Sequence, residues 1–140
     1  MMRKLGIDYG DSRVGIAITD ELGITVQGLE TIHHNSNDKL VLRRLEELFE
    51  KYDVDTIVIG IPINMNGSKS ERVEITEKFI HKLKCKFNKM HIERVDERLT
   101  TVAAHKTMNY LNINKNEKKN LVDTLSAVYI LETYMNKKEE

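Results

Sequence analysis

The stretch Lys4-Leu5-Gly6-Ile7-Asp8-Tyr9-Gly10-Asp11-Ser12-Arg13-Val14-Gly15-Ile16-Ala17 decides the fold of this chain. Its first half predicts an apolar strand that ends on the carboxylate of Asp8, and a glycine turn follows at once. Its second half predicts a return strand from Val14 onward. A charge at the end of a buried strand needs a partner, water or a cation. Asp8 is therefore a candidate for a cation or phosphate site, although an Asp before a glycine turn is also ordinary turn chemistry.

The composition indicates a small globular protein of the cytosol. The chain has 140 residues, of which 40% are hydrophobic and 31% charged, and a single cysteine, Cys85. We expect one domain over residues 1–136 with a frayed tail at 137–140, a cytoplasmic location, and neither a membrane span nor a secretory signal. The formal net charge of zero argues mildly against a partner held by bulk electrostatics, as nucleic acids usually are.

Three strands are predicted in the first part of the chain, over residues 3–9, 13–19 and 24–31, and they form an antiparallel meander. The polar run His33–Asn37 is predicted to be a solvated loop. A helix with one apolar face is predicted from Asp38, and the continuously apolar run at 56–61 is typical of a parallel strand covered on both faces.

The second part of the chain alternates in the same way. Ser70 is a predicted N-cap for a second helix, and a fifth strand is predicted over residues 91–95. A short helix around residues 102–108, a polar linker at 112–116 and a last helix from near Lys118 complete the pattern. This order of elements predicts an α/β fold.

Carboxylates stand at the ends of several of these elements. Asp96 and Glu97 follow the fifth strand, and because neighbouring strand residues point to opposite faces, at most one of them can face Asp8. Asp123 lies on an otherwise apolar helical face, so it needs a partner, which could be the helix N-terminus or a metal. Oxygen ligands from separate elements suit Mg²⁺ or Mn²⁺ better than zinc.

The chain resembles the YqgF/RuvX family, the Holliday-junction-resolvase-like proteins that are also assigned as pre-16S rRNA nucleases. Four stretches carry the resemblance, in the family's order: the opening stretch, Gly60-Ile61-Pro62 through Gly67-Ser68, Asp96 through Thr101, and Asp123 through Tyr134. One departure is Ser126, where the family often has alanine. Both residues are small, so the departure puts little in doubt.

The resemblance implies a ribonuclease H-like fold, with a five-stranded mixed sheet and helices on both faces. It also implies a nuclease that hydrolyses phosphodiester bonds with Mg²⁺ or Mn²⁺, processing the 5′ end of pre-16S rRNA. The family's catalytic and metal-binding acids fall on Asp8, Glu97 and Asp123, with Asp96 as the less certain neighbour. The residues predicted to contact substrate are Arg13, Gly67, Ser68, Lys69, Arg98 and Lys119, and Arg72 beside Lys69 could also grip a phosphate.

Three other functions fit parts of the same pattern. The acids would equally serve a Holliday junction resolvase, and a symmetric homodimer rather than a monomer would favour that function. An ATP-binding protein of the actin and sugar-kinase type also has Asp-x-Gly in its first hairpin, but normally needs two such domains. A non-catalytic module that binds nucleic acid or ribosomal precursor particles could keep the fold without the chemistry.

Overall fold

The computed structural model describes residues 2–64, 66–98 and 115–139, and in the last range it describes side chains from Thr124 to Asn136. The elements, in chain order, are β1 (Arg3–Tyr9), β2 (Arg13–Thr19), β3 (Val26–His33), α1 (Asp38–Lys51), β4 (Val54–Ile61), α2 (Glu71–Lys86), β5 (His91–Asp96) and α3 (Lys115–Glu139). The short helix predicted around residues 102–108 lies outside the described residues. The last helix begins at Lys115 rather than near Lys118, so it includes the end of the predicted linker.

The strands form one mixed sheet in the order β3-β2-β1-β4-β5. β1 and β2 pair antiparallel, as do β2 and β3, whereas β1, β4 and β5 run parallel to one another. The predicted meander and the predicted five-stranded mixed sheet are both confirmed. Because β1, β4 and β5 are parallel, their carboxyl ends, near Asp8, Ile61 and Asp96, lie along the same edge of the sheet.

Helices cover both faces of the sheet. One core holds Leu5 and Ile7 of β1 together with buried residues of α1 and α2, including Leu45 and Phe79. The second core, on the opposite face, is formed by α3 with residues of β2, β4 and β5: Ala17, Val58, Val95, Ala127, Val128, Ile130 and Leu131. Within the described ranges, none of the helices is both long and apolar enough to cross a bilayer.

The third strand begins later than its apolar pattern predicts. The carboxylate of Asp20 accepts hydrogen bonds from the backbone N–H of Ile24 (2.8 Å) and from the hydroxyl of Thr25 (3.0 Å). These bonds keep both residues in the turn, and β3 starts at Val26. Strand β3 then continues to His33, because its pairing with β2 extends as far as Arg13, the first residue of β2.

The prediction that His34 lies in a solvated loop is wrong. Its side chain is only 4% exposed, and its Nε2 lies 2.8 Å from the carbonyl oxygen of Gly10. A carbonyl can only accept, so Nε2 carries the proton and donates it. His34 therefore fastens the β3–α1 connection to the turn after β1, a contact that spacing along the chain does not reveal.

The position of α3 depends on a missing side chain at Gly6 in the central strand. A Cβ atom at Gly6 would lie 2.8 Å from the backbone oxygen of Ala127 and 3.0 Å from the Cβ of Leu131. Neither atom belongs to a flexible side-chain end, so any residue larger than glycine would push the helix away. The close approach of α3 to the sheet at Ala127 therefore depends on Gly6, its counterpart in the central strand.

We expect Gly6→Ala to lower the free energy of unfolding by about 1–3 kcal/mol because it overpacks this contact. Gly6→Ser, with one more atom, should cost more. Gly23 is the matched control: nothing lies within 4 Å of its missing Cβ, and its φ is +70°. There alanine and serine should cost the same, through backbone strain alone. Urea titrations test this, and equal costs at Gly6 would contradict the packing account.

Candidate active site

Two carboxyl groups meet at the edge where the parallel strands end. Asp8 is half-buried near the end of β1, and Glu97 directly follows β5. Burial raises the pKa of Asp8 well above its usual value, the charge of Glu97 and a hydrogen bond between the two side chains raise it further, and Arg72 opposes this. Two carboxyl groups brought together in this way disfavour each other's ionised form. A cation bound between them would relieve that repulsion.

Gly60 of β4 makes room for this pair. The backbone N–H of Glu97 donates to the carbonyl of Ile61 (3.1 Å), which carries the ladder one step beyond β5. A Cβ atom at Gly60 would lie 2.6 Å from Cγ and 2.9 Å from Cδ of Glu97, and 2.5 Å from Cδ1 of Ile130. The Glu97 side chain thus passes over β4 through the space that glycine leaves. The motif contained Gly60, but its spacing gave no indication of this role.

Asp96 is turned away from Asp8 by its own neighbour. Its Oδ2 accepts from Nε (2.8 Å) and Nη2 (2.6 Å) of Arg98, and its Oδ1 accepts from the Arg98 backbone N–H (3.0 Å). These hydrogen bonds from Arg98 lower the pKa of Asp96 below its usual value. Of the two adjacent acids, Glu97 is therefore the one that reaches Asp8, and Asp96 is neutralised within its own turn.

Helix α3 brings Ser126 to the same place. The Ser126 side chain is 1% exposed, and among the described residues its hydroxyl has no hydrogen-bond partner of standard geometry. It lies close enough to Asp8 to lower the pKa of that carboxyl, against the larger effects of burial and Glu97. Asp123 and Lys119 lie in α3 as well. Their side chains are outside the described part of the chain, so their roles stay predictions.

The β4–α2 loop, residues 62–70, holds the other predicted contact residues. Gly67 has a φ of +86°, a left-handed conformation that favours glycine. The hydroxyl of Ser68 donates to Asn66 Oδ1 (2.7 Å) and accepts from Asn64 Nδ2 (3.0 Å). That hydroxyl therefore shapes the loop itself, while Lys69 beside it is exposed.

Arg98 joins this loop to the carboxylate edge. Its Nη1 lies 3.6 Å from where a Cβ of Gly67 would stand, so the guanidinium rests against the loop while it is bound to Asp96. The backbone carbonyl of Arg13, at the start of β2, accepts a hydrogen bond from the N–H of Gly10 (2.9 Å) and so closes the turn after β1. Described residues of all four sequence motifs thus meet at one edge of the sheet.

The carboxylates present suit a hard cation. In the ranges with described side chains, no group of three or more His, Cys, Asp or Glu residues could hold a metal. Asp8 and Glu97 supply oxygen ligands from the ends of two strands, and their mutual repulsion would fall if a cation were bound between them. These donors fit Mg²⁺ or Mn²⁺, which prefer carboxylate oxygens and water.

Comparison with known proteins identifies the family of this chain. The family model described as "RuvX: Holliday junction resolvase" matches residues 2–137. A protein of Ruminiclostridium cellulolyticum is 53% identical over 97% of this chain and 95% of its own length. One of Acetivibrio thermocellus is 50% identical over 98% of this chain and 97% of its own length. Both relatives bear the name "Putative pre-16S rRNA nuclease".

Solved structures with low sequence identity share the fold. The Fowlpox virus resolvase in complex with Holliday junction DNA superposes with a TM-score of 0.63 at 13% identity, covering 99% of this chain and 100% of that one. Thermus thermophilus RuvC with its junction substrate gives 0.57 at 12% identity, covering 98% and 96%. The ribonuclease H-like fold predicted from the sequence is thereby confirmed. With a family match over residues 2–137 and relatives half-identical along almost their whole length, this chain belongs to the RuvX family.

Proposed function

We propose that this protein is a metal-dependent nuclease that hydrolyses phosphodiester bonds of RNA at the 5′ end of pre-16S rRNA. The observation that carries the proposal is the convergence of Asp8 and Glu97, from separate strands, at the edge where the parallel strands end. The relatives named as pre-16S rRNA nucleases support the choice of substrate. A cytoplasmic location and association with ribosomal precursor particles follow from that substrate.

Asp8 and Glu97 hold the divalent ion, and Asp123 is the proposed third ligand. A bound Mg²⁺ or Mn²⁺ supplies the activation of water and the stabilisation of charge on the phosphate and leaving oxygen. The chain's own part is to fix its oxygens: Gly60 lets Glu97 cross to Asp8, and the packing of α3 on Gly6 sets the helix that carries Asp123. The Ser126 hydroxyl faces the Asp8 carboxylate and helps to orient it.

The proposed contacts to substrate involve phosphates rather than bases. Arg98 rests against the β4–α2 loop at Gly67, and Lys69 lies within that loop, just before the start of α2. Arg13 and Lys119 complete the predicted set. Cationic side chains that bind the phosphate backbone of a nucleic acid fix the position of the strand without recognising its base sequence. Recognition of the correct end of the rRNA then depends on the shape of the precursor.

A four-way DNA junction is the second candidate substrate, since the family description and the solved neighbours are those of Holliday junction resolvases. The same carboxylates would serve either reaction. The neighbours share only fold with this chain, at 12–13% identity, whereas the relatives named for rRNA are half-identical to it. The rRNA precursor is therefore the substrate we favour.

We expect Asp8→Asn to abolish cleavage, lowering the rate roughly a hundredfold or more, because it removes a charged oxygen from the metal site. Asp96→Asn is the matched control: it alters an adjacent acid that binds Arg98 instead of Asp8, and should retain most activity. Purified variants would be mixed with a labelled RNA spanning the 5′ boundary of 16S rRNA, or with a four-way DNA junction. Each substrate is tested with Mg²⁺, with Mn²⁺ and with EDTA.

The outcomes separate the candidate functions. RNA cleavage that needs metal and Asp8 supports the rRNA nuclease, whereas paired nicks in the junction alone would assign a resolvase. If neither substrate is cut but wild type and Asp8→Asn bind the RNA equally, the protein is a binding module. If Asp96→Asn lost as much activity as Asp8→Asn, the assignment of Glu97 rather than its neighbour Asp96 to the metal site would be wrong.

The raised pKa of Asp8 also predicts a pH dependence of stability in metal-free buffer. Burial and Glu97 disfavour the ionised form in the folded protein, so this group's contribution to stability is present at low pH and is lost as pH rises through the folded-state pKa. Asp8→Asn should therefore be more stable than wild type at neutral pH. Its advantage should shrink towards about pH 4, near the ordinary carboxyl pKa.

Urea titrations in EDTA across this pH range measure the effect. Added Mg²⁺ should stabilise wild type more than Asp8→Asn, because only wild type retains both charged oxygens. If Asp8→Asn were less stable than wild type at neutral pH in EDTA, the proposal that the ionised Asp8 destabilises the metal-free protein would be contradicted.

A further inference from the structure

An ion pair lies at the edge of the sheet that holds the site, between the turn after β1 and the start of α2. Arg72, the second residue of α2, reaches across 61 positions of sequence to Asp11 in the turn after β1, with Nη1 3.1 Å from Oδ2. The Arg72 side chain is 49% exposed and the Asp11 side chain 64%. Exposed pairs of this kind contribute between zero and about 1 kcal/mol, so stability alone gives little reason for the contact.

The turn that carries Asp11 is already held by other bonds. The N–H of Ser36 donates to the carbonyl of Asp11 (3.0 Å), and the N–H of His34 donates to that of Ser12 (2.9 Å). The ring of His34 binds the carbonyl of Gly10 (2.8 Å). Because the backbone is fixed on both sides, the Asp11 carboxylate is not needed to hold the turn.

The backbone of Arg72 is also held by hydrogen bonds, while its guanidinium lies on the side of the site. The backbone N–H of Arg72 donates to the N-cap oxygen of Ser70 (3.3 Å), and its carbonyl accepts from the hydroxyl of Thr76 (2.9 Å). The guanidinium is close enough to oppose the upward shift that burial and Glu97 produce in the pKa of Asp8. The guanidinium at this fixed helix start is therefore paired with an exposed acid at the same edge of the sheet as the proposed centre of cleavage.

We propose that Arg72 binds a phosphate of the RNA strand next to the bond that is cut, and that Asp11 competes with that phosphate for the guanidinium. The inference rests on the proposed function. A carboxylate and a phosphate offer the same pair of acceptor oxygens to the planar fork of arginine, so Asp11 occupies the place that the phosphate takes. When RNA binds, its phosphate replaces the Asp11 carboxylate on the guanidinium. A polyanion that makes few other contacts with the protein cannot compete with Asp11.

This exchange predicts effects of opposite sign. Binding is measured by fluorescence anisotropy with a labelled single-stranded RNA spanning the 5′ boundary of 16S rRNA, in full-length Asp8→Asn protein so that cleavage does not interfere. Arg72→Ala should weaken binding about tenfold, as expected for a charge-assisted contact, and reduce the salt dependence by about one phosphate. Asp11→Asn should tighten binding severalfold. Arg72→Lys, which keeps the charge but loses the fork, should lie between wild type and Arg72→Ala.

A double variant and a charge control decide between competition and mere proximity. If Asp11 acts through Arg72, the double variant Asp11→Asn/Arg72→Ala should bind like Arg72→Ala alone. Glu71→Gln removes a different exposed acid, the one next to Arg72 in the first turn of α2. It should tighten RNA binding less than Asp11→Asn does. Urea midpoints of all variants should stay close to that of the parent, because the pair is exposed.

The inference would be overturned by a loss of affinity in Asp11→Asn, by a gain from Asp11→Asn that persists without Arg72, or by a gain no larger than that of Glu71→Gln. Cleavage by the protein with Asp8 intact is assayed separately and tests the proposed function. An active nuclease whose Asp11 and Arg72 variants bind RNA like the parent would leave the function standing and remove the competition. The absence of any RNA binding would overturn both.

Discussion

The site depends on holding two carboxyl groups together at the carboxyl ends of parallel strands, against their mutual repulsion. Asp8 and Glu97 meet only because Gly60 leaves a passage across β4, and burial makes the ionised pair still less favourable. A contact of this kind persists only when the surrounding structure fixes it. Here the two apolar cores, one on each face of the sheet, supply that support, so the fold maintains a site that would otherwise relax.

The same requirement explains the position of the last helix. Gly6 lets the backbone of Ala127 approach the central strand to a distance that no other residue would allow, and this places Ser126 beside Asp8. A helix standing farther from the sheet would leave the carboxyl edge open to water. The electrostatic effect of each carboxylate on its neighbour would then fall, because the effective dielectric constant would rise. Packing and electrostatics are therefore linked through two glycines of the sheet.

Periodicity predicted the strands and helices well because each has a buried face, but it could not predict contacts between distant segments. The alternation of strand residues showed that Asp96 and Glu97 face opposite ways without showing which one faces Asp8. In the structure Asp96 binds Arg98, and Glu97 is the acid that reaches Asp8. In the same way, β3 starts late because Asp20 holds the turn, and His34 is buried because it binds Gly10. Each of these outcomes depends on a polar partner that hydrophobic patterning does not encode.

The arrangement of charges also reconciles a net charge of zero with a nucleic-acid substrate. Arg98 is bound to Asp96, and Arg72 to Asp11, so two cations at this edge of the sheet already have an anionic partner. A phosphate must displace a carboxylate to reach either guanidinium. The free energy gained is therefore only the difference between the new ion pair and the one that it replaces. Long-range attraction of polyanions is then weak. Tight binding requires a strand that places several phosphates and the bond to be cut in register at once, which favours a shaped precursor over RNA in general.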